Sequence, residues 1–161
     1  MKNKIEKFFK ELIPYIIIII VVILIRTFII TPVRVDGDSM NPTLENTNLL
    51  LLEKFNKNYK RFDVIVFNHN NTKLVKRIIG LPGDSIEYKT DKLYINGKLV
   101  KENYDRKVME DLKYDNIPEG KYFVLGDNRL NSLDSRFFGL VDEKDIDGIV
   151  NISILPLKMV K

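Results

Sequence analysis

Leu74-Val-Lys-Arg-Ile-Ile-Gly-Leu-Pro-Gly-Asp84 carries the pattern that decides the fold. Successive side chains of an extended chain point to opposite faces, so Leu74, Lys76 and Ile78 share one face while Val75, Arg77 and Ile79 share the other. Leu81-Pro-Gly-Asp84 then turns the chain. Upstream, residues 48–54 and 61–67 are apolar and strand-like. Val33 and Val35 alternate with Arg34 and Asp36 in a strand that delivers Ser39 at its end. Downstream, residues 85–89, 92–95 and 98–100 read as a meander, and Asn96-Gly97 is a type I′ hairpin signal. Residues 101–116 are charged and weakly periodic and are expected to form a surface excursion. Pro118-Glu-Gly120 leads into residues 122–125, and an apolar strand near residues 146–155 closes the chain. Residues 31–161 therefore read as a mainly β domain, antiparallel and barrel-like or sandwich-like, with no internal repeat.

The chain of 161 residues accommodates one such domain and one further segment. That segment is almost uncharged from Leu12 through Ile25, and its continuation to Ile30 gives about 28 Å of helix at ~1.5 Å per residue. This is enough to cross a hydrocarbon core of about 30 Å, with Arg26 able to snorkel to the headgroups. A cleaved leader is the competing reading, but no pair of small residues follows the apolar run. Lys2, Lys4, Lys7 and Lys10 precede it, which favours a cytoplasmic N-terminus. The sequence thus predicts a cytoplasmic basic stretch at 1–11, a transmembrane anchor at 12–30, and an extracytoplasmic β-rich domain at 31–161.

Residues 1–30 hold five Lys or Arg and two Glu, so they carry +3 of the formal +4 and leave +1 for the rest. That distribution gives no basic stripe for nucleic acid. With no cysteine, disulfides, thiol catalysis and cysteine-bound metal are all excluded. His69 is the sole histidine, and it lies in Asn68-His-Asn-Asn71, which reads as a solvated hairpin tip rather than part of a Ser-His-Asp triad. Asp142, Glu143, Asp145 and Asp147 are interrupted by Lys144 and read as a solvated face rather than a cation site.

Lys76 lies between two apolar residues on its face. Were that face the core, desolvation would lower its pKa and let a neutral amine take a proton from a serine; at a sheet edge it would be an ordinary surface lysine. Ser39, in Gly37-Asp-Ser-Met40, is either a turn residue or a nucleophile. Gly126-Asp-Asn-Arg129 and Asp134-Ser-Arg136 read singly as turn chemistry and a surface ion pair.

Taken in order, Val35-Asp-Gly-Asp-Ser-Met-Asn-Pro-Thr-Leu44, Arg61-Phe-Asp-Val-Ile-Val-Phe67, Val75-Lys-Arg-Ile-Ile-Gly-Leu-Pro-Gly-Asp84 and Gly126-Asp-Asn-Arg-Leu-Asn-Ser-Leu-Asp-Ser-Arg-Phe-Phe-Gly139 make the chain resemble bacterial type I signal peptidases, in the short form typical of Gram-positive bacteria. The resemblance implies Ser39 as nucleophile, Lys76 as general base, Ser132 as the hydroxyl orienting that lysine, and Asp134 with Arg136 as a supporting ion pair. It also places the Ser39 N–H in the oxyanion hole, while Gly37 leaves a second donor unassigned. Met40, Val75 and Leu133 adjoin these motifs as candidate apolar walls of a substrate pocket. The implied activity removes signal peptides from exported preproteins after small residues at the first and third positions before the cut, beside the lipid bilayer, with no cofactor, metal or nucleic acid. Phe62 stands where that family usually has Gly, and Leu130 where Asp is usual. A self-cleaving Ser-Lys protease related to the SOS repressors and an anchored, non-enzymatic β domain are the alternatives.

Overall fold

The computed structural model describes residues 2–102 and 110–160. A helix, α1 (Lys2–Phe28), leads into β1 (Ile30–Arg34). Eight strands form the larger antiparallel sheet: β1, β2 (Leu49–Glu53), β3 (Val64–His69), β4 (Thr72–Gly80), β9 (Lys121–Leu125), β10 (Val141–Asp142), β11 (Ile146–Leu155) and β12 (Leu157–Met159). Their order is β1-β2-β11-β3-β4-β9-β10, and β12 pairs with β11. The smaller sheet comprises β5 (Ile86–Lys89), β6 (Lys92–Ile95), β7 (Lys98–Val100) and β8 (Leu112–Tyr114), in the order β7-β6-β5-β8. A short helix, α2 (Ser135–Phe138), lies between β9 and β10.

Alternation along β3 shows how the large sheet is held. Val64 and Val66 join Val35, Met40, Leu44, Leu50, Leu52 and Val150 in one apolar cluster. Ile65 and Phe67 face the opposite way and join Ile78, Val124 and Ile149 in another. Leu74 and Val75 fall on the faces that alternation predicts, the first against the second cluster and the next against the first. A third cluster, including Ile79, Ile86, Leu93, Phe123 and Leu125, ties the small sheet to β4 and β9. Sheet interiors of this kind rest on apolar burial worth about 25 cal/mol per Å².

Local turn chemistry follows the sequence where short polar residues accept positive φ. Asn96 and Gly97 have φ of 52° and 73°, as the type I′ hairpin requires. Asn70 and Asn71, at 49° and 64°, make the corresponding turn between β3 and β4.

Two expectations change, and the transmembrane span is left unconfirmed. Residues 112–114 of the predicted excursion form β8 and pair with β5, while residues 103–109 lie outside the described residues. The helix begins well before Leu12 and ends at Phe28, because Ile30 is already paired with Glu53. Among the described residues, no helix is long and apolar enough to cross a membrane. Glu11 and Arg26 bracket an uncharged run of 14 residues, which spans only about 21 Å of helix axis.

The helix C-terminus is joined to the sheet through its last carbonyls. Thr31 Oγ1 donates to the Arg26 carbonyl at 2.9 Å, Lys54 Nζ to that of Thr27 at 3.2 Å, and the Lys54 N–H to that of Ile29 at 3.1 Å. Groups of the β domain thereby satisfy oxygens that a helix end leaves without intrahelical donors.

Candidate active site

Ser39 lies in the turn that follows β1. The Asn41 N–H donates to the Asp38 carbonyl and that of Leu44 to Met40, coiling the chain directly after the serine. From β4, the Lys76 amine donates to Ser39 Oγ at 2.7 Å and to the Val75 carbonyl at 2.9 Å. Lys76 is 2% exposed. Burial pushes it down to about 8 from its ordinary 10.5, against the opposing pull of the negative charges on Asp134 and Asp127. The strand lysine is thus on an interior face, and its amine reaches the serine hydroxyl.

The Gly126 turn, at the end of β9, closes over this pair. The Asn128 N–H donates to the Ser39 carbonyl at 3.0 Å, and Asn128 Nδ2 to the Asp38 carbonyl at 3.2 Å. A Cβ at Gly126 would stand 2.1 Å from Ser132 Oγ and 2.5 Å from the Ser39 carbonyl oxygen, distances that real Cβ atoms do not tolerate. Glycine is required here because three segments meet, not because of its φ. Ser132 Oγ is buried and makes no hydrogen bond among the described residues; it lies beside the turn but is not bonded to Lys76.

Asp134 is fully buried. Its carboxylate accepts from Arg136 Nε at 2.7 Å and Nη2 at 2.8 Å, from the Arg136 N–H at 3.3 Å as the N-cap of α2, and from the Gly126 N–H at 3.0 Å. This ion pair therefore also anchors the glycine turn. Two further buried ion pairs lie close to this site. Arg77 forms a bidentate pair with Asp127 (2.9 and 2.7 Å), and it also donates to the Phe62 carbonyl at 2.7 Å. Arg129 pairs with Glu102 and with the hydroxyl of Tyr88. Asp127 and Arg129 stand in the quoted Gly126–Gly139 motif, but no local signal singles out Tyr88 or Glu102.

The three candidate pocket walls separate. Met40 is 1% exposed and belongs to the core cluster, so it cannot line a surface pocket in this conformation. Val75 is half-buried beside the amine, and Leu133 is exposed. His69 ends β3 and packs its ring on Phe138, with centroids 4.5 Å apart, so it is not a free loop residue. Asp142 and Asp147 are paired with Lys121 and Lys73 at the surface.

The sequence profile of the family described as signal peptidase, peptidase S26, matches residues 9–155. The chain belongs to this family. Signal peptidase I P of Bacillus subtilis subsp. natto is 43% identical over 90% of this chain and 88% of its own length. Signal peptidase IB of Staphylococcus aureus (strain Mu50 / ATCC 700699) is 40% identical over 94% of both chains. A crystal structure of a signal peptidase I from Enterococcus faecalis V583 superposes with a TM-score of 0.54 at 39% identity, covering 56% of this chain and 95% of that one. This signal peptidase family member is a serine hydrolase that removes signal peptides, and its mainly β antiparallel architecture agrees with the family fold. Phe62, one of the two departures from the family pattern, has φ of +72°, a conformation for which glycine is the unstrained residue. Leu130, the other, is exposed at the surface.

Proposed function

We propose that Ser39 and Lys76 are the catalytic dyad of a membrane-anchored signal peptidase I that cuts exported preproteins after small residues at the first and third positions before the scissile bond. The observation that carries this reading is the 2.7 Å separation between the amine and hydroxyl while the lysine is almost wholly buried. Neutral Lys76 takes the proton of Ser39, whose oxygen attacks the peptide carbonyl. The Ser39 N–H donates to the developing oxyanion. Protonated Lys76 returns its proton to the leaving amine as the acyl-enzyme forms, and then serves as base for the water that hydrolyses the ester. Asp134 with Arg136 holds the glycine turn against the dyad, and the buried Ser132 hydroxyl, without a hydrogen bond among the described residues, is free to serve as the group that orients the lysine.

Strand pairing supports the substrate side. Among the described residues, β4 pairs with β9 only from Arg77 onward, so residues 72–75 present an open edge that ends at Lys76. An extended substrate adds to such an edge through main-chain hydrogen bonds.

Anchoring rests on α1. Its residues from Tyr15 through Ile25 are apolar all round and exposed, a pattern that belongs in lipid when no protein covers it. Lys10 and Arg26 can snorkel outward from the short uncharged run, and the basic residues that precede it support a β domain outside the cytoplasm. Exposed Leu133 and Phe137 add apolar surface close to the Asp134 turn.

The test is cleavage of a purified preprotein in liposomes by wild type, Ser39→Ala and Lys76→Met, with the cut mapped by mass. Loss in both variants and a wild-type cut after a small-x-small sequence are expected. Wild-type-like turnover by either variant would remove it from the dyad.

A further inference from the structure

The small sheet contributes no group to the chemistry described above, yet it directs two buried polar side chains at the turn that closes the site. Tyr88, on β5, and Glu102, just beyond β7, are 3% and 5% exposed. They meet on one guanidinium. Arg129 Nη1 donates to the Tyr88 hydroxyl, Nη2 to Glu102 Oε1, and the guanidinium also sits over the Tyr88 ring at 5.2 Å. The Tyr88 hydroxyl in turn donates to Glu102 Oε2 at 2.6 Å. The remaining edge of the guanidinium faces the catalytic side: Arg129 Nε donates to the Gly126 carbonyl at 3.0 Å.

Gly126 is where small movements reach the dyad. Its α-carbon leaves no room for a Cβ between Ser132 Oγ and the Ser39 carbonyl, and two residues on, Asn128 bonds that same carbonyl. The other side of the turn is held by Asp134, which accepts from the Gly126 N–H. Gly126 is thus gripped by its N–H from Asp134 and by its carbonyl from Arg129, and only the second grip depends on the small sheet.

We propose that Tyr88 and Glu102 are positioning residues: through Arg129 and the Gly126 carbonyl they fix the turn against which Ser39 and Ser132 rest. The small sheet is on this account a brace for the reacting serine rather than a peripheral addition. A fork-shaped guanidinium suits the task, because it satisfies Tyr88, Glu102 and Gly126 with separate N–H groups at fixed angles. The inference rests on Ser39 and Lys76 being the reacting pair.

The experiment compares wild type, Glu102→Ala, Glu102→Gln and Tyr88→Phe in the full chain, measuring kcat and KM for a preprotein together with the thermal unfolding midpoint, all assays being run well below each midpoint. A displaced nucleophile loses turnover without losing substrate binding, so kcat is expected to fall about 10²-fold in Glu102→Ala, with KM near that of wild type. Glu102→Gln should regain part of the loss, because its amide oxygen still accepts from Arg129, and Tyr88→Phe should lose less than Glu102→Ala. Wild-type kcat in folded Glu102→Ala, or a loss confined to KM, overturns the proposal. Should Glu102→Ala fail to fold, Tyr88→Phe decides, since it keeps the ring and the Glu102–Arg129 pair: an unchanged kcat overturns the proposal and a reduced one upholds it. A wild-type chain that cuts no preprotein would instead overturn the peptidase reading beneath it.

Discussion

The two faces of β4 each bury a cation, and they treat it in opposite ways. Arg77 is 1% exposed and held by both oxygens of Asp127, with the Phe62 carbonyl as a further acceptor. Lys76, its neighbour, is 2% exposed but makes no ion pair among the described residues, and its amine is left to a serine hydroxyl and one carbonyl. A guanidinium cannot shed its proton, so burial obliges the fold to supply a carboxylate. An ammonium can shed its proton, and desolvation without a partner turns it into a base. The adjacent positions teach that burial alone does not lower a cation's pKa; burial with the counter-ion withheld does, which is what the proposed base requires.

The most severe way to break this contrast is to exchange the cations. Lys76→Arg places a permanently charged group where a neutral amine is required, and cleavage is expected to fall by about 10³-fold or more, as for Lys76→Met. Turnover assays on folded protein, with far-ultraviolet circular dichroism to confirm the fold, read this directly.

The opposite face is broken from the carboxylate side. Asp127→Ala leaves Arg77 buried without its bidentate partner and should cost about 3–5 kcal/mol of stability in urea unfolding. The double variant Arg77→Met/Asp127→Leu removes both charges and should recover most of that loss. Failure to recover would mean that the pair is needed for shape rather than for compensation.

A third prediction sharpens the contrast through pH. Lys76 titrates near 8 in the folded protein against 10.5 when free, so the unfolded chain binds more protons between these values and stability should rise with pH across that window. Below about 8 both states are protonated and the full penalty of roughly 3 kcal/mol applies. Lys76→Met should therefore be more stable than wild type at neutral pH by about that amount while being inactive, a trade of stability against function. The acid limb of kcat/KM should have its midpoint near 8, because only the neutral amine is competent.

The smallest effect concerns Phe62, whose carbonyl is one of the acceptors for Arg77. Phe62→Gly relieves a backbone at φ +72° but removes a half-buried ring packed near the third cluster. Strain of about 1 kcal/mol and lost burial of similar size should nearly cancel, leaving unfolding free energy within about 1 kcal/mol of wild type.

How far the sequence reads depends on the range of the physics involved. Alternation in residues 74–79 placed Leu74 and Val75 on their observed faces, and Asn96-Gly97 announced its hairpin, because period and turn chemistry are local. Helix α1 was legible as an apolar run, but its end was not: Ile30 is captured by Glu53 of a distant strand, and long-range pairing overrides the pattern. Met40 looked like a pocket wall from its place beside Ser39, whereas packing against Leu44, Leu50 and Val64 encloses it. Tyr88 and Glu102 had no signal, since their partner lies 41 and 27 residues away.

By itself the sequence determined most of the strands and turns and the family, and it offered Ser39 and Lys76 as candidates, since each rests on residue type and short spacing. Only the tertiary structure decided that Lys76 is buried with no carboxylate ion pair among the described residues while Arg77 has one. Only it brought Gly126, Ser132 and the Ser39 carbonyl into contact. Desolvation and ion pairing depend on which distant segments close around a side chain, and no local pattern encodes that closure.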